Sequence, residues 1–275
     1  MPKRTLTIAT CQFNTSGDIS GNLKKMCAQI KKAKSGKADI VQFAECSLTG
    51  YGGIDIEKTE KEHYPQLLEL GKAIKELQAI AKEFSIYIII GTHYYVKNKS
   101  RPMNSLLIIN SEGGIEARYD KRILPGVPGK NATQDQLHYS SGQKPVTFDI
   151  KGIKCGLLIC HEWRYPELYR EYKKLGAEII FHSWYEGNYN ENEYLSNGCE
   201  LIVNSVRGYA ANNYLWISGS NICNKQCAFP GFIVQPDGRI LCKSQRNKEH
   251  ALIETIDFNM KFDDTAFYGR KRFLK

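Results

Sequence analysis

Apolar residues along this chain switch repeatedly between continuous or alternating runs and three- and four-residue repeats. Residues 6–13 are rich in β-branched and apolar side chains and predict a first strand, followed by the turn-rich stretch 14–21. Leu23, Met26, Cys27, Ile30 and Ala33 recur at helical spacing from an Asn22 start until Ser35-Gly36 ends them. The short run 40–44 predicts a buried strand that terminates at Glu45. Residues 65–84 carry the clearest helical stripe, Leu67, Leu70, Ile74, Leu77, Ala81 and Phe84, and a core-facing helix accounts for it. Strands follow at 86–94, 104–110 and 115–119, the last two as a hairpin across Ser111-Glu112-Gly113-Gly114, with Lys121 at its exit. Residues 122–144 hold much Gly, Pro, Asn and Gln and little periodicity, which predicts a long loop of the kind that is usually functional.

Order then returns. A strand at 146–150 turns through Lys151-Gly152 into the apolar run 153–159, which ends at Cys160, just before a Pro-opened helix at 167–175 stopped by Gly176. A strand at 178–182, a helix at 194–212 and a strand at 215–220 come next, then a hairpin of 232–235 and 240–243 and a last strand at 252–256. With no internal repeat or linker, this alternation predicts one α/β domain spanning residues 1–275.

Composition narrows the class. No apolar run approaches the ~20 residues that cross a bilayer, so no membrane partner is expected. With no signal-type segment, the expectation is a cytoplasmic enzyme. Nine cysteines, an odd number without paired spacing, suggest free thiols in a reducing compartment, and Cys223 and Cys227 lack a second pair, so no metal is expected. The net charge of +9 invites a nucleic-acid reading, but the lysines spread over helix faces such as Lys24, Lys25, Lys31, Lys32 and Lys34. The densest basic run, 269–275, reads as a tail, and no nucleic-acid signature accompanies it.

Three positions carry chemistry. Glu45, Lys121 and Cys160 lie far apart in sequence, yet each stands directly beyond a predicted strand, and sheet edges gather such positions into one crevice. A thiol facing a helix start sits in the field of unpaired backbone N–H groups, which favours the thiolate; the alternative is a small buried apolar cysteine. A carboxylate can take the thiol proton and return it to a leaving amine, a cysteine can form an acyl intermediate, and an ammonium can stabilise an oxyanion. Together they describe acyl transfer from an amide. His161 adjoins Cys160, but neighbouring side chains at a strand end point to opposite faces, which argues against a Cys–His pair.

Residues 38–51, with Phe43-Ala44-Glu45-Cys46, resemble the glutamate motif of the nitrilase superfamily, the carbon–nitrogen hydrolases. Tyr119-Asp120-Lys121-Arg122-Ile123-Leu124-Pro125 resembles its lysine motif, and residues 156–167 its cysteine motif, all in the family's order. The resemblance implies a four-layer α-β-β-α sandwich that often dimerises, here into a homodimer or higher homo-oligomer. It implies Cys160 as nucleophile, Glu45 as general base and Lys121 as support for the tetrahedral intermediate, with the His161 N–H sharing the oxyanion work and no cofactor. Asp135 aligns with the family's second glutamate, one methylene shorter, with Gln134 and His138 as substitutes. Glu162 stands for a more usual aspartate, and Asn212 for a glutamate.

Trp184, Tyr185 and Glu186 follow a strand end and by the same resemblance line the pocket mouth, where Glu186 meets a substrate amine or remains an exposed loop acid. Residues 127–130 resemble the ω-amidase branch, whose substrate is a dicarboxylic monoamide, so Lys130 or Arg164 would meet a carboxylate. The leading expectation is hydrolysis of a small linear amide or N-carbamoyl compound with release of ammonia. A nitrilase and a catalytically silent binding protein are the alternatives.

Overall fold

The computed structural model describes residues 3–60, 66–187, 198–224 and 226–274. Twelve strands among them form two six-stranded mixed sheets. The first runs in the order β12 (His250–Asp257), β1 (Thr5–Gln12), β2 (Ile40–Gln42), β3 (Tyr87–Tyr94), β4 (Met103–Ile109) and β5 (Ile115–Asp120). The second runs β11 (Ile240–Lys243), β10 (Phe232–Val234), β9 (Trp216–Ser220), β8 (Ile179–Ser183), β7 (Ile153–Ile159) and β6 (Thr147–Ile150). Each has a parallel centre, β1-β2-β3 in one and β7-β8-β9 in the other, flanked by antiparallel strands.

Alternation explains the layering. In the first sheet Ala9, Cys11, Val41, Ile88 and Ile90 face α1 (Ile19–Ser35) and α2 (Leu67–Phe84), which bury Met26, Ile30, Leu70, Leu77 and Ala81 against them. Side chains one register off, Leu6, Ile8, Ile40, Ile89, Leu106 and Ile108, join a second core with the other sheet. Fully burying a Leu or Ile is worth about 1.5–3 kcal/mol, so these faces dominate the cohesion of the fold. On the far side Tyr169 and Tyr172 of α4 (Pro166–Lys174) and Ile202, Val206 and Ala210 of α5 (Gly198–Asn213) complete that core. Gly156 of β7 makes room for α4, because a Cβ there would lie 2.6 Å from the Tyr172 ring. The order is helix, sheet, sheet, helix, the expected four-layer sandwich.

At the carboxyl ends of the parallel strands the inter-sheet contact turns polar. Thr10 pairs with Ser218 at 2.7 Å, and Gln42 donates to His182 O at 2.9 Å and Ser183 Oγ at 3.1 Å. The expected elements recur within a few residues, with two differences. The 122–144 loop contains a single helical turn, α3 (Asp135–His138). The basic tail folds as α6 (Phe267–Phe273), whose Arg270 is buried beside Asp264. The start expected for the 194–212 helix lies outside the described residues.

Candidate active site

Glu45 follows β2 by three residues, Lys121 follows β5 directly, and Cys160 follows β7 directly. The chain carrying Glu45 is pressed onto β3, which only Gly91 permits, since a Cβ there would lie 2.2 Å from Ala44 O. Glu45 N–H donates across to Trp184 O at 3.3 Å, tying the two sheets together beside the site. Lys121 N–H donates to Asn104 O at 2.8 Å, so the lysine leaves its strand against the start of β4.

The side chains converge. Lys121 Nζ donates to Glu45 Oε1 at 2.8 Å and to Asp135 Oδ2 at 2.7 Å, and all three side chains are essentially without solvent exposure. Asn104 Nδ2 also donates to Glu45 Oε1, at 2.7 Å, leaving Glu45 Oε2 buried with no hydrogen-bond partner. Tyr51 OH donates to Asp135 Oδ1 at 2.6 Å, so the loop acid is held from both sides. Gln134, with φ of 52°, turns the backbone into α3 and delivers Asp135 to the lysine.

Burial pushes the Glu45 carboxyl up to about 7; Lys121 opposes the rise and Asp135 adds to it. Burial by itself lowers the Lys121 ammonium, but the Glu45 and Asp135 carboxylates hold it well above its usual range. Lys121 is therefore a fixed cation, and Glu45 a group that exchanges protons near neutrality.

Cys160 opens a 3-10 turn, Cys160–Arg164, with φ of 39°. A non-glycine residue held there is strained, a mark of functional positions. The thiol departs from the thiolate expectation: burial first, then Glu45 and Glu186, push it well above the ordinary cysteine range, against the pull of Lys121 and the Tyr185 N–H. Only 7% of the residue is exposed, so the solvation a thiolate needs is missing. The resting form is a thiol, donating to Glu186 Oε1 at 3.3 Å.

Glu162, one turn on, is a structural carboxylate. Its Oε1 accepts from Tyr119 OH at 2.7 Å and Arg122 N–H at 2.8 Å, and its Oε2 from Tyr119 OH at 2.8 Å and Ile159 N–H at 2.8 Å. It joins the strand that ends at Cys160 to the segment that follows Lys121. His182 contacts Cys160 through the backbone oxygen, Nε2 to O 3.2 Å, and burial holds its imidazole well below its ordinary value. His161 turns its ring toward Tyr165, and burial beside Lys121 and Arg164 lowers it as well. Neither imidazole partners the sulfur.

A cavity of about 480 Å³ opens above Cys160, lined by Tyr51 to Ile54, Lys121, Pro125, Gln134, Asp135, His138, Cys160, His161, Tyr185 and Glu186. Four of the five expected supporting residues, Asp135, His161, Tyr185 and Glu186, line it. Trp184 does not: β8 pairing continues through it, Trp184 N–H to Ser220 O 2.8 Å, which turns the indole into the core. There it stacks on His182 at 3.6 Å and meets Phe229 edge-on. Lys130 is exposed and Arg164 lies over the Trp163 ring, so neither expected carboxylate partner lines the cavity. Sequence reasoning missed Asn104, Tyr119 and the role of Tyr51; a polar residue heading an otherwise apolar strand was the one signal for Asn104. Among the described residues no group of three or more His, Cys, Asp or Glu is arranged to hold a metal ion.

Lys121 and Cys160 line this one small cavity, and the buried Glu45 carboxylate is bound to that lysine. Residues 7–261 match the carbon–nitrogen hydrolase family, and the chain belongs to that family. It is 27% identical to omega-amidase NIT2 of Mus musculus over 92% of this chain and 89% of that protein. It is 24% identical to N-carbamoylputrescine amidase of Arabidopsis thaliana over 94% and 88%. A Nesterenkonia amidase of the nitrilase superfamily superposes with a TM-score of 0.78 at 17% identity, covering 98% of this chain and 95% of that one. A mutant of a Nesterenkonia amidase, with a glutamate replaced by glutamine, carries the acetamide moiety of fluoroacetamide on its active-site cysteine; it gives a TM-score of 0.75 at 16% identity over 92% and 90% of the chains.

Proposed function

We propose that the protein hydrolyses a small linear amide or N-carbamoyl compound through a thioester on Cys160. Glu45 Oε2 takes the thiol proton as sulfur attacks the carbonyl carbon, and the C–N bond breaks as the same proton passes to the departing ammonia. Lys121 faces the oxygen that becomes negative, with the N–H of His161 beside it. Water, deprotonated by Glu45, then adds to the thioester; the acid leaves and the thiol recovers its proton. Asp135 and Tyr51 keep the ammonium in register. The observation that carries this reading is the asymmetry of Glu45, one oxygen held by Lys121 and Asn104 and the other bare.

The test is ammonia release from a panel of small primary amides, N-carbamoyl amines and nitriles, with mass spectrometry of Cys160 during turnover. Amides and carbamoyl amines are expected to dominate, with an acyl mass on Cys160; dominant nitrile turnover would move the reading to nitrilase chemistry.

We place the enzyme in the cytoplasm, in keeping with nine cysteines that are all free. We also take it to work as a homo-oligomer joined through α4 and α5. The groove of about 730 Å³ beside them contains Arg170 and Asn213, each with a buried side-chain atom that lacks a partner, and a second copy would supply polar groups there. Light scattering of the purified protein checks the association.

A further inference from the structure

The basic run that folds as α6 forms one wall of a further cavity, of about 440 Å³. Its lining sets Lys173, Lys261, Arg270 and Lys271 against a single carboxylate, Asp264. Arg270 is buried and takes Asp264 Oδ2 for itself, with its Nη1 donating to Asn212 O at 3.3 Å. Among the described residues none of the three lysines pairs with a carboxylate, and half-buried Lys173 donates to the Tyr214 backbone oxygen at 3.0 Å. The cations also press on one another. Burial lowers the Lys173 ammonium, and Arg270 lowers it further, more than Glu178 and Asp264 restore. Arg170, which shares Asn212 O with Arg270 at 3.4 Å, is lowered by burial and then by Arg270.

Phe262, Phe267 and Leu274 supply an apolar side, and Phe262 meets the Tyr214 ring edge-on with 6.4 Å between centroids. The cavity lies at the amino ends of β8 and β9, where Lys173 closes α4 and Tyr214 leads into β9. Cys160 stands at the carboxyl end of β7, which runs parallel to both. No lining residue is shared with the cavity above Cys160 or with the groove beside α4 and α5.

We infer that this cavity is a second ligand site, for an organic phosphate: a monoester whose phosphate rests among Lys173, Arg270 and Lys271 while an aromatic group lies on Phe262, Phe267 and Leu274. A phosphate monoester carries about 1.5–2 negative charges at neutral pH and three acceptor oxygens, which answers a set of lysines without counter-ions better than a single carboxylate does. The mixed lining fits such a ligand, since small-molecule sites pair apolar walls with a few placed charges. An anion held there joins the end of α4 to α6, so binding ties α6 to the body of the fold. The inference is independent of the amidase reading.

The experiment is isothermal titration calorimetry at neutral pH with phenyl phosphate, inorganic phosphate, benzoate and benzyl alcohol. Phenyl phosphate is expected to bind about tenfold more tightly than inorganic phosphate or benzoate, with no measurable binding of the alcohol. Lys173→Gln is expected to weaken phenyl phosphate about tenfold, and Lys271→Gln about threefold. Lys271 is exposed, so its replacement keeps the test open if Lys173→Gln fails to fold. Inorganic phosphate binding as tightly as phenyl phosphate would leave only a solvated basic face and overturn the inference. Equal binding of benzoate, undetectable binding of phenyl phosphate, or an affinity unchanged in the variants would overturn it as well.

Discussion

Glu45 and Glu162 are both glutamates with no exposed surface, and each carboxylate bridges segments distant in sequence, yet they are finished differently. Glu162 has both oxygens occupied, by a tyrosine hydroxyl and backbone N–H groups from two segments. Glu45 has two donors on one oxygen and none on the other. Burial raises both carboxyls, but at Glu162 the donors oppose the rise with hydrogen bonds at both oxygens. A buried carboxylate whose lone pairs are all used is a fastener, whereas one with a bare oxygen is poised to take a proton. That asymmetry separates the acid proposed to react from the structural one more cleanly than burial does.

The largest expected break in this comparison comes from removing what the bare oxygen serves. Cys160→Ala should lower kcat/KM for any amide substrate ~10⁴-fold or more, with the unfolding temperature nearly unchanged, measured by ammonia release and calorimetry. Comparable turnover in the variant would return Cys160 to the role of a small buried apolar residue.

Glu45→Gln comes next, with a loss of about 10²–10⁴-fold and an altered pH profile. In the wild-type enzyme kcat/KM should rise through an acid limb near pH 7, because the carboxyl, pushed up to about 7, accepts a proton only when ionised. Stability runs the other way. A carboxyl that titrates higher in the folded than in the unfolded chain stabilises the fold below about pH 4.5, and this contribution is lost as pH rises through about 7. Glu45→Gln should therefore abolish the acid limb and flatten that part of the stability profile together; an acid limb surviving in the variant would assign the base elsewhere.

Glu162 should behave oppositely, failing in stability before chemistry. Glu162→Leu leaves Tyr119 OH and the N–H groups of Arg122 and Ile159 buried without an acceptor, a cost of roughly 3 kcal/mol. Denaturant unfolding should register that loss. Glu162→Gln, which keeps one acceptor oxygen, should recover part of it. A Leu variant as stable as wild type would show that the carboxylate is not the fastener described above.

How much of this was legible in the sequence depended on the distance over which each residue meets its partners. The ends of β2 and β7 were marked by local apolar runs and that of β5 by its hairpin turn, so Glu45, Lys121 and Cys160 stood out as strand-exit residues. Asn104 and Tyr119 did not, because each acts through a hydrogen bond between sheet-paired or sheet-crossing segments, and no local pattern encodes that pairing. Trp184 was misread for a related reason. An aromatic after a predicted strand end suggests a pocket wall, but β8 runs on to Ser183 and the pairing to Ser220 rotates Trp184 inward. The expected thiolate failed on burial, which sequence does not reveal: the strand-end position suggested exposure, whereas the fold covers the sulfur.

Asp135 gives the smallest and most discriminating effect. Its carboxylate sits 2.7 Å from Lys121 Nζ and shares that ammonium with Glu45, so its charge acts on Glu45 only through space and through the lysine. Asp135 raises Glu45, and neutralising it in Asp135→Asn should therefore lower the Glu45 carboxyl and shift the acid limb of kcat/KM below that of wild type. The amide also holds Lys121 less firmly, which should cost about tenfold in kcat/KM at a pH above both limbs. A role limited to shaping the loop would reduce the rate without moving the limb. Asp135→Glu sharpens the distinction: it keeps the charge but adds a methylene between a fixed α3 and a fixed ammonium, so it should leave the limb near its wild-type position while the rate falls. An Asn variant whose limb stays in place would reduce Asp135 to a loop residue and leave Lys121 and Asn104 as the only groups that set the asymmetry of Glu45.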